Sequence, residues 1–459
     1  MNPRRLGLTV VLACGAAGVL PLQAASAQFV PRAAGGSVAE RSIANANEDT
    51  LTSSFTVDGI PVVLRRVTAN NVVAANVYLL GGTRQLTRAT QGLELLLLEA
   101  SERGTAKYPR DLLRARMAQL GSGIGVSPGV DWSTMGLRST VAGFDSTWAI
   151  LADRLVAPRL DSTEVERVRE QIASAVSQRT ENPDALLEYL ADSAAFVDHP
   201  YGLSTVGTEA SLAGITLDQL RTYQRDQVVK SRLFIVVVGN VSRERVERLV
   251  RSTLGTLPAG TYRWALPDAP ASRPSGATFV NRRLPTNYLQ GYFVGPPASS
   301  PDYAALRLAT AVLSGRLFTE IREKRNLTYA VDAPFRERAI AIGGLYVTTT
   351  QPEVVLDIMQ REMRALQQGT ISQSGLDRLV QQFIVTYFLD NETNADQANL
   401  LARAALYQGD WQRANSFVDD LRAVTPEDIR LAAVKYFRNV RWAFIGNALS
   451  VDRRAFERF

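Results

Sequence analysis

Two stretches in opposite halves of the 459-residue chain are built alike, and that repetition limits the folds open to it. Ile215-Thr216-Leu217-Asp218-Gln219-Leu220-Arg221 precedes the apolar run FIVVVGN at 234–240. Val424-Thr425-Pro426-Glu427-Asp428-Ile429-Arg430 precedes WAFIGN at 442–447. Each reads as a helix opened by a threonine N-cap and followed by a buried strand that ends in Gly-Asn. Thr216 and Gly239 lie 23 residues apart in one copy, Thr425 and Gly446 21 in the other. An α/β unit of roughly 200 residues is present twice. The expected fold class is therefore α+β, with two homologous sheet-plus-helix domains.

The rest of the chain divides to match. In the first half, Asp58-Gly59 between Ser53–Val57 and Val62–Val67 signals a hairpin. Asn71–Leu80 and Trp132–Val141 read as strands, with helices over Ala89–Ser101, Pro109–Leu120, Phe144–Ala157, Ser162–Gln178 and Pro183–Phe196. Pro258, Pro267, Pro270 and Pro274 mark residues 258–276 as a linker. After it come strands near Thr278–Asn281, Leu289–Val294, Tyr329–Pro334 and Gly343–Thr350, with helices from Tyr303 and over Glu353–Gln367, Ser374–Leu389 and Ala395–Gln408. The expected domains are 48–257 and 277–459, joined by that linker.

Arg4 and Arg5 precede an apolar run from Leu6 to Leu22, and Ala25-Ser26-Ala27 offers a cleavage site. Residues 1–27 are expected to be a cleaved signal peptide and 28–47, rich in Ala, Gly, Ser and Asn, a flexible leader. No later stretch has the ~18 uninterrupted apolar residues of a spanning helix. The chain is thus expected to be exported, most simply to the periplasm, with lipid attachment at Cys14 the alternative. Cys14 is the one cysteine, so a mature chain from Gln28 has no disulfide and rests on burial, which 46% hydrophobic residues can supply. The formal charge of +6 is interspersed rather than clustered and gives no support to nucleic-acid binding.

One stretch carries chemistry: SGRLFTEIREKRNLTYA, Ser314–Ala330. Leu313, Leu317 and Ile321 recur at helical spacing with Phe318 beside them, and Arg322 sits at the edge of that apolar face. Asn326 lets the chain leave the helix, and Tyr329 follows Arg322 by seven residues in an expected strand. An arginine and a tyrosine brought together this way make two directional donors, suited to a substrate carbonyl or a developing oxyanion. The alternative places Arg322 in a solvated charge run with Glu323, Lys324 and Arg325, and makes Tyr329 an ordinary strand aromatic.

Asp198-His199-Pro200-Tyr201-Gly202, Gly207-Thr208-Glu209, FIVVVGN and GRLFTEIREKRNLTYAV together resemble the pitrilysin/insulinase-type inverzincin metallopeptidases and their processing-peptidase and core-protein relatives. The resemblance covers nearly the whole mature sequence. It implies two homologous α+β halves forming one side of a clamshell that closes on a peptide. Active members carry zinc on an H-x-x-E-H helix, with a glutamate some 75 residues further on as the third protein ligand. Here the matching positions hold Leu95, Leu98 and Glu99, and the downstream ligand falls near Ser174-Ala175. The single histidine, His199, stands elsewhere and reads as a turn residue, so this chain is expected to bind no zinc.

The resemblance makes the opposite statement about the second half. Arg322 and Tyr329 match, in type and spacing, the pair with which the family binds the substrate carbonyl and steadies the tetrahedral intermediate. The chain thus resembles the zinc-less subunit of two-chain bacterial members, whose expected partner is a homologous subunit with H-x-x-E-H and zinc. Its expected substrates are peptides, and the expected catalytic residues are Arg322 and Tyr329. The alternative is a non-catalytic peptide-binding or scaffold protein of the same fold. The glycine-rich run Gly121–Val130 falls where the family holds extended peptide on an edge strand; a tight turn is the structural alternative.

Overall fold

The computed structural model describes residues 51–459. The expected signal peptide, the leader and Cys14 lie outside the described residues. The first half is a six-stranded sheet of β1 (Thr52–Val57), β2 (Ile60–Arg65), β3 (Val72–Leu80), β4 (Gly123–Ser127), β5 (Trp132–Thr140) and β6 (Leu233–Val238), in the order β1-β2-β6-β3-β5-β4. Asp58 and Gly59, both at positive φ (50° and 88°), turn β1 into β2 with Val57 opposite Ile60. This is the mirror-image turn that matches strand twist.

Its helices are α1 (Leu93–Ala100), α2 (Arg110–Leu120), α3 (Phe144–Val156), α4 (Ser162–Glu181), α5 (Pro183–Ala195), α6 (Glu209–Gly214), α7 (Leu217–Gln227) and α8 (Arg243–Ser252). The helix expected from Ala89 starts only at Leu93, because Gly92 adopts a left-handed φ of 88° just before it. The glycine-rich run is not merely a turn. Gly123–Ser127 is itself a strand, paired antiparallel with β5 and lying at the sheet's edge.

The second half repeats the plan. Its sheet holds β7 (Gly276–Asn281), β8 (Asn287–Pro297), β9 (Val331–Asp332), β10 (Phe335–Arg336), β11 (Ile340–Thr349) and β12 (Arg441–Gly446), in the order β10-β11-β8-β12-β7 with β9 also on β11. Its helices are α9 (Asp302–Leu317), α10 (Pro352–Gln368), α11 (Gln373–Asp390), α12 (Asn394–Gln408), α13 (Phe417–Arg422) and α14 (Pro426–Tyr436). The repeat read in the sequence has a three-dimensional counterpart. β6 runs parallel to β2 and antiparallel to β3, and β12 runs parallel to β7 and antiparallel to β8. Thr216 and Thr425 each close a capping box, and Gly239 and Gly446 share a φ of 150° that disfavours any side chain.

Each half lends a helix to the other. Leu187, Ala191 and Ala195 of α5 pack on Tyr292, Ile342 and Ile445 of the second sheet. Ala398, Leu401 and Ala402 of α12 pack on Tyr78, Val236 and Val238 of the first. Leu401 is fully buried, which stabilises the union by about 2–3 kcal/mol through its side chain alone.

The proline-rich linker is strapped down rather than loose. Arg84 donates to the Ala265 carbonyl at 2.7 Å and lies over the Trp264 ring, whose Nε1 donates to the Leu406 carbonyl at 2.9 Å. Further along, His199 Nε2 donates to the Asp268 carbonyl at 3.1 Å, and Arg273 pairs with Asp198 at 3.0 Å. His199 Nδ1 accepts from the Tyr201 amide at 3.2 Å, which makes it the N-cap of a short turn.

Candidate functional site

The arginine–tyrosine site is built on the end of α9. Leu313, Leu317 and Ile321 are fully buried and fix that end to the second sheet's core. The helix then widens into a π-helical turn over Phe318–Glu323, closed by the Lys324 amide donating to the Thr319 carbonyl at 3.0 Å. It stops at Asn326, whose φ of 51° puts it in the left-handed region. The Leu327 amide donates to the Ile321 carbonyl at 3.0 Å and that of Asn326 to the Arg322 carbonyl at 3.1 Å, which satisfies two carbonyls of the widened last turn.

The segment after the stop is tied to β11. The Thr328 hydroxyl donates to the carbonyls of Ala330 and Thr348, Thr348 N donates to the Ala330 carbonyl, and Thr349 Oγ1 donates to that of Leu327. Between these ties Tyr329 projects outward, 84% exposed. It lies on a bend and not in a strand; the strand expected over Tyr329–Pro334 is confined to Val331–Asp332. The turning chain is held by side-chain hydroxyls here, which hydrophobic alternation does not reveal.

Arg322 and Tyr329 are brought together. The guanidinium carbon lies 5.2 Å from the Tyr329 ring centroid and 5.1 Å from that of Phe318, so two rings hold the cation between them. The neighbouring charges are otherwise engaged. Lys324 and Arg325 both bond the Glu320 carboxylate at 2.6 Å, which holds its pKa down at about 2. Arg322 has no carboxylate partner among the described residues. Its charge and Tyr329 both face solvent. Glu320 was not singled out in the sequence; its i, i+4 spacing to Lys324 was the available signal.

At the positions matching the metal helix, α1 packs on α4 with Leu95 and Leu98 in the first half's core. Glu99 is half-buried, and burial, then the nearby Glu102, raises its carboxyl pKa. Ser174 and Ala175 lie exposed on α4. Glu94 is committed elsewhere: its Oε2 accepts from Tyr223 Oη at 2.7 Å and from Arg232 Nη2 at 2.9 Å, with both charged side chains buried. Among the described residues no group of three or more His, Cys, Asp or Glu is placed to hold a metal ion. Apolar side chains at two of the three motif positions do not fit zinc.

Comparison with known proteins places this geometry. A family model described as insulinase (peptidase family M16) matches residues 61–209, and one described as peptidase M16 inactive domain matches 214–383. An uncharacterized zinc protease of Mycobacterium leprae is 30% identical over 189 residues, covering 40% of this chain and 42% of the relative. One from Streptomyces coelicolor is 23% identical over 297 residues, covering 62% and 65%. The chain thus spans less than two thirds of these first relatives. A Bacillus subtilis zinc protease, also uncharacterized, is 21% identical over 389 residues, covering 83% of this chain and 94% of the relative. The crystal structure of a peptidase M16 inactive domain from Pseudomonas fluorescens superposes with a TM-score of 0.79 at 21% identity, covering 86% of this chain and 98% of that one.

Two sheet-plus-helix halves, with Leu95, Leu98 and Glu99 at the metal-motif positions of the first and an exposed arginine–tyrosine pair on the second, define a peptidase fold whose metal helix lacks the motif's histidines. The chain belongs to the insulinase-type peptidase family, M16.

Proposed function

We propose that this chain is the non-zinc subunit of a two-chain zinc peptidase, binding peptide and stabilising the transition state for a homologous partner that carries H-x-x-E-H. The observation that carries the reading is Arg322: a guanidinium with no carboxylate partner among the described residues, held between Phe318 and Tyr329 in a chain whose own metal helix is a buried leucine face. A cation fixed by two rings loses little freedom on meeting a carbonyl oxygen, and the Tyr329 hydroxyl offers a second donor. The partner's zinc would activate the attacking water. Edge strand β4 gives extended substrate a backbone to pair with. In the cell we place the chain outside the cytoplasmic membrane, following its N-terminal segment.

The test is a native pull-down of the chain from its own compartment, with every co-purifying sequence read for H-x-x-E-H. A stoichiometric partner with that motif, and peptidase activity that chelation abolishes, would support the reading. A chain that emerges alone, or only self-associated and inert, would favour a peptide-binding scaffold instead. The leucine-rich metal helix fits that second reading equally well; the retained Arg322 and Tyr329 weigh mildly against it, since a pure scaffold needs neither.

A further inference from the structure

A cavity of about 1100 Å³ lies beside β4, between the first sheet and helices α5 and α12. The register of the sheet decides what lines its floor. Gly123 stands opposite Arg138, Gly125 opposite Gly136 and Ser127 opposite Thr134, so these six share one face of the β4–β5 pair. Ile124, Val126, Met135 and Leu137 turn to the other face and join the first half's core. Three of the six floor residues are glycines. A Cβ added at Gly123 or Gly125 meets nothing within 4 Å. The floor is open because side chains are missing from it.

The cavity's charged side chains are unevenly paired. Each of its carboxylates is engaged: Glu188 by Arg336 at 2.9 Å, Asp192 by Arg338 at 3.0 Å, and Glu337 by Arg307 and Arg403. Asp131 accepts from the Tyr201 and Tyr407 hydroxyls at 2.7 and 2.9 Å and from the Ala339 amide at 3.1 Å. Two guanidinium groups are left over. Arg138 has no hydrogen-bond or ion-pair partner among the described residues. Arg179 has no carboxylate partner among the described residues: it bonds Ser204 Oγ at 3.0 Å and the Gly207 carbonyl at 3.1 Å, lies over the Tyr189 ring at 4.6 Å, and keeps a buried Nε without a partner.

We propose that an extended peptide paired along β4 is selected for acidic side chains at alternate positions, those that lie over Gly123 and Gly125 and face Arg138 and Arg179. The inference rests on the peptide-binding reading above and adds the substrate class. An added strand places every second residue on the glycine face, where a Glu or Asp enters the space the glycines leave and meets cations that have no carboxylate partner among the described residues. A Lys or Arg at the same positions meets like charge. Peptides that alternate acidic with apolar residues are therefore the favoured class.

The experiment measures fluorescence anisotropy of the full chain with two labelled peptides. They share one sequence of alternating residues except that the alternate positions carry Glu in one and Lys in the other. The Glu peptide should bind about tenfold more tightly at low salt, and the gap should narrow as salt is added. Arg138→Glu should remove or invert the preference. Gly125→Val, whose side chain the fold has room for, should weaken both peptides. Equal binding of the two peptides, or a preference unchanged in Arg138→Glu, overturns the inference and leaves peptide binding standing. Binding of neither peptide by chain whose circular dichroism is native overturns the peptide-binding reading along with it.

Discussion

The Tyr407 hydroxyl, on a helix of the second half, donates at 2.9 Å to Asp131, a fully buried carboxylate just ahead of β5 in the first. Asp131 takes a second hydroxyl from Tyr201, and burial followed by the nearby carboxylate raises both phenols' pKa values. One carboxylate thus joins the halves without a cation. Tyr407→Phe removes one of its three donors while keeping the ring that packs on Trp132. The variant should lose about 1.5–3 kcal/mol of unfolding free energy, read from urea denaturation.

Arg322→Ala and Tyr329→Phe should behave in the opposite way. Both side chains are exposed, so stability should stay within about 0.5 kcal/mol. Turnover by the complex with a zinc-bearing partner should fall by ~10²–10³, the usual effect of losing one oxyanion donor. Normal turnover in both variants would remove the role assigned to the pair.

Glu94 and Arg232 show what became of the metal helix. The ion pair is buried on both sides, so removing one partner leaves the other charge stranded. Arg232→Ala should destabilise by about 3–5 kcal/mol, while Leu95→His alone should confer no zinc binding measurable by calorimetry. Zinc bound tightly by that single substitution would contradict the packing described for α1.

His199 gives the fold a pH dependence. Its ring accepts at Nδ1 and donates at Nε2, a pattern only the neutral form satisfies. Burial, the largest cause, lowers its pKa from the ordinary 6.5. The unfolded chain therefore binds the proton first, and the contribution of His199 is full above about pH 6.5 and lost as pH falls through the folded value. Urea midpoints should drop between about pH 7 and pH 5.5 in the wild type and less so in His199→Asn.

Much of this was legible in the sequence. The duplicated Thr-capped helix and Gly-Asn strand foretold β6 and β12 in equivalent places, because capping and burial are local signals. The spacing of Arg322 and Tyr329 foretold their meeting. What stayed hidden depends on partners distant in sequence. Nothing near Leu187 or Leu401 says that each packs on the other half's sheet, since an apolar stripe does not name its mate. The bend at Tyr329 is held by Thr328 and Thr349, whose hydroxyls could equally have faced water. The pairing of β4 was obscured by its glycines, which weaken any strand pattern.

The exchange of α5 and α12 bears on what a break in the chain would do. Residues 258–276 are the single covalent connection between the halves, yet each half's core is finished by a helix anchored in the other. A protease cut there should yield two fragments that co-elute as one particle and separate only in denaturant. Expressed apart, neither should be soluble, and mixed during refolding they should complement one another. The covalent chain order then matters less to this molecule than the clasp its helices make.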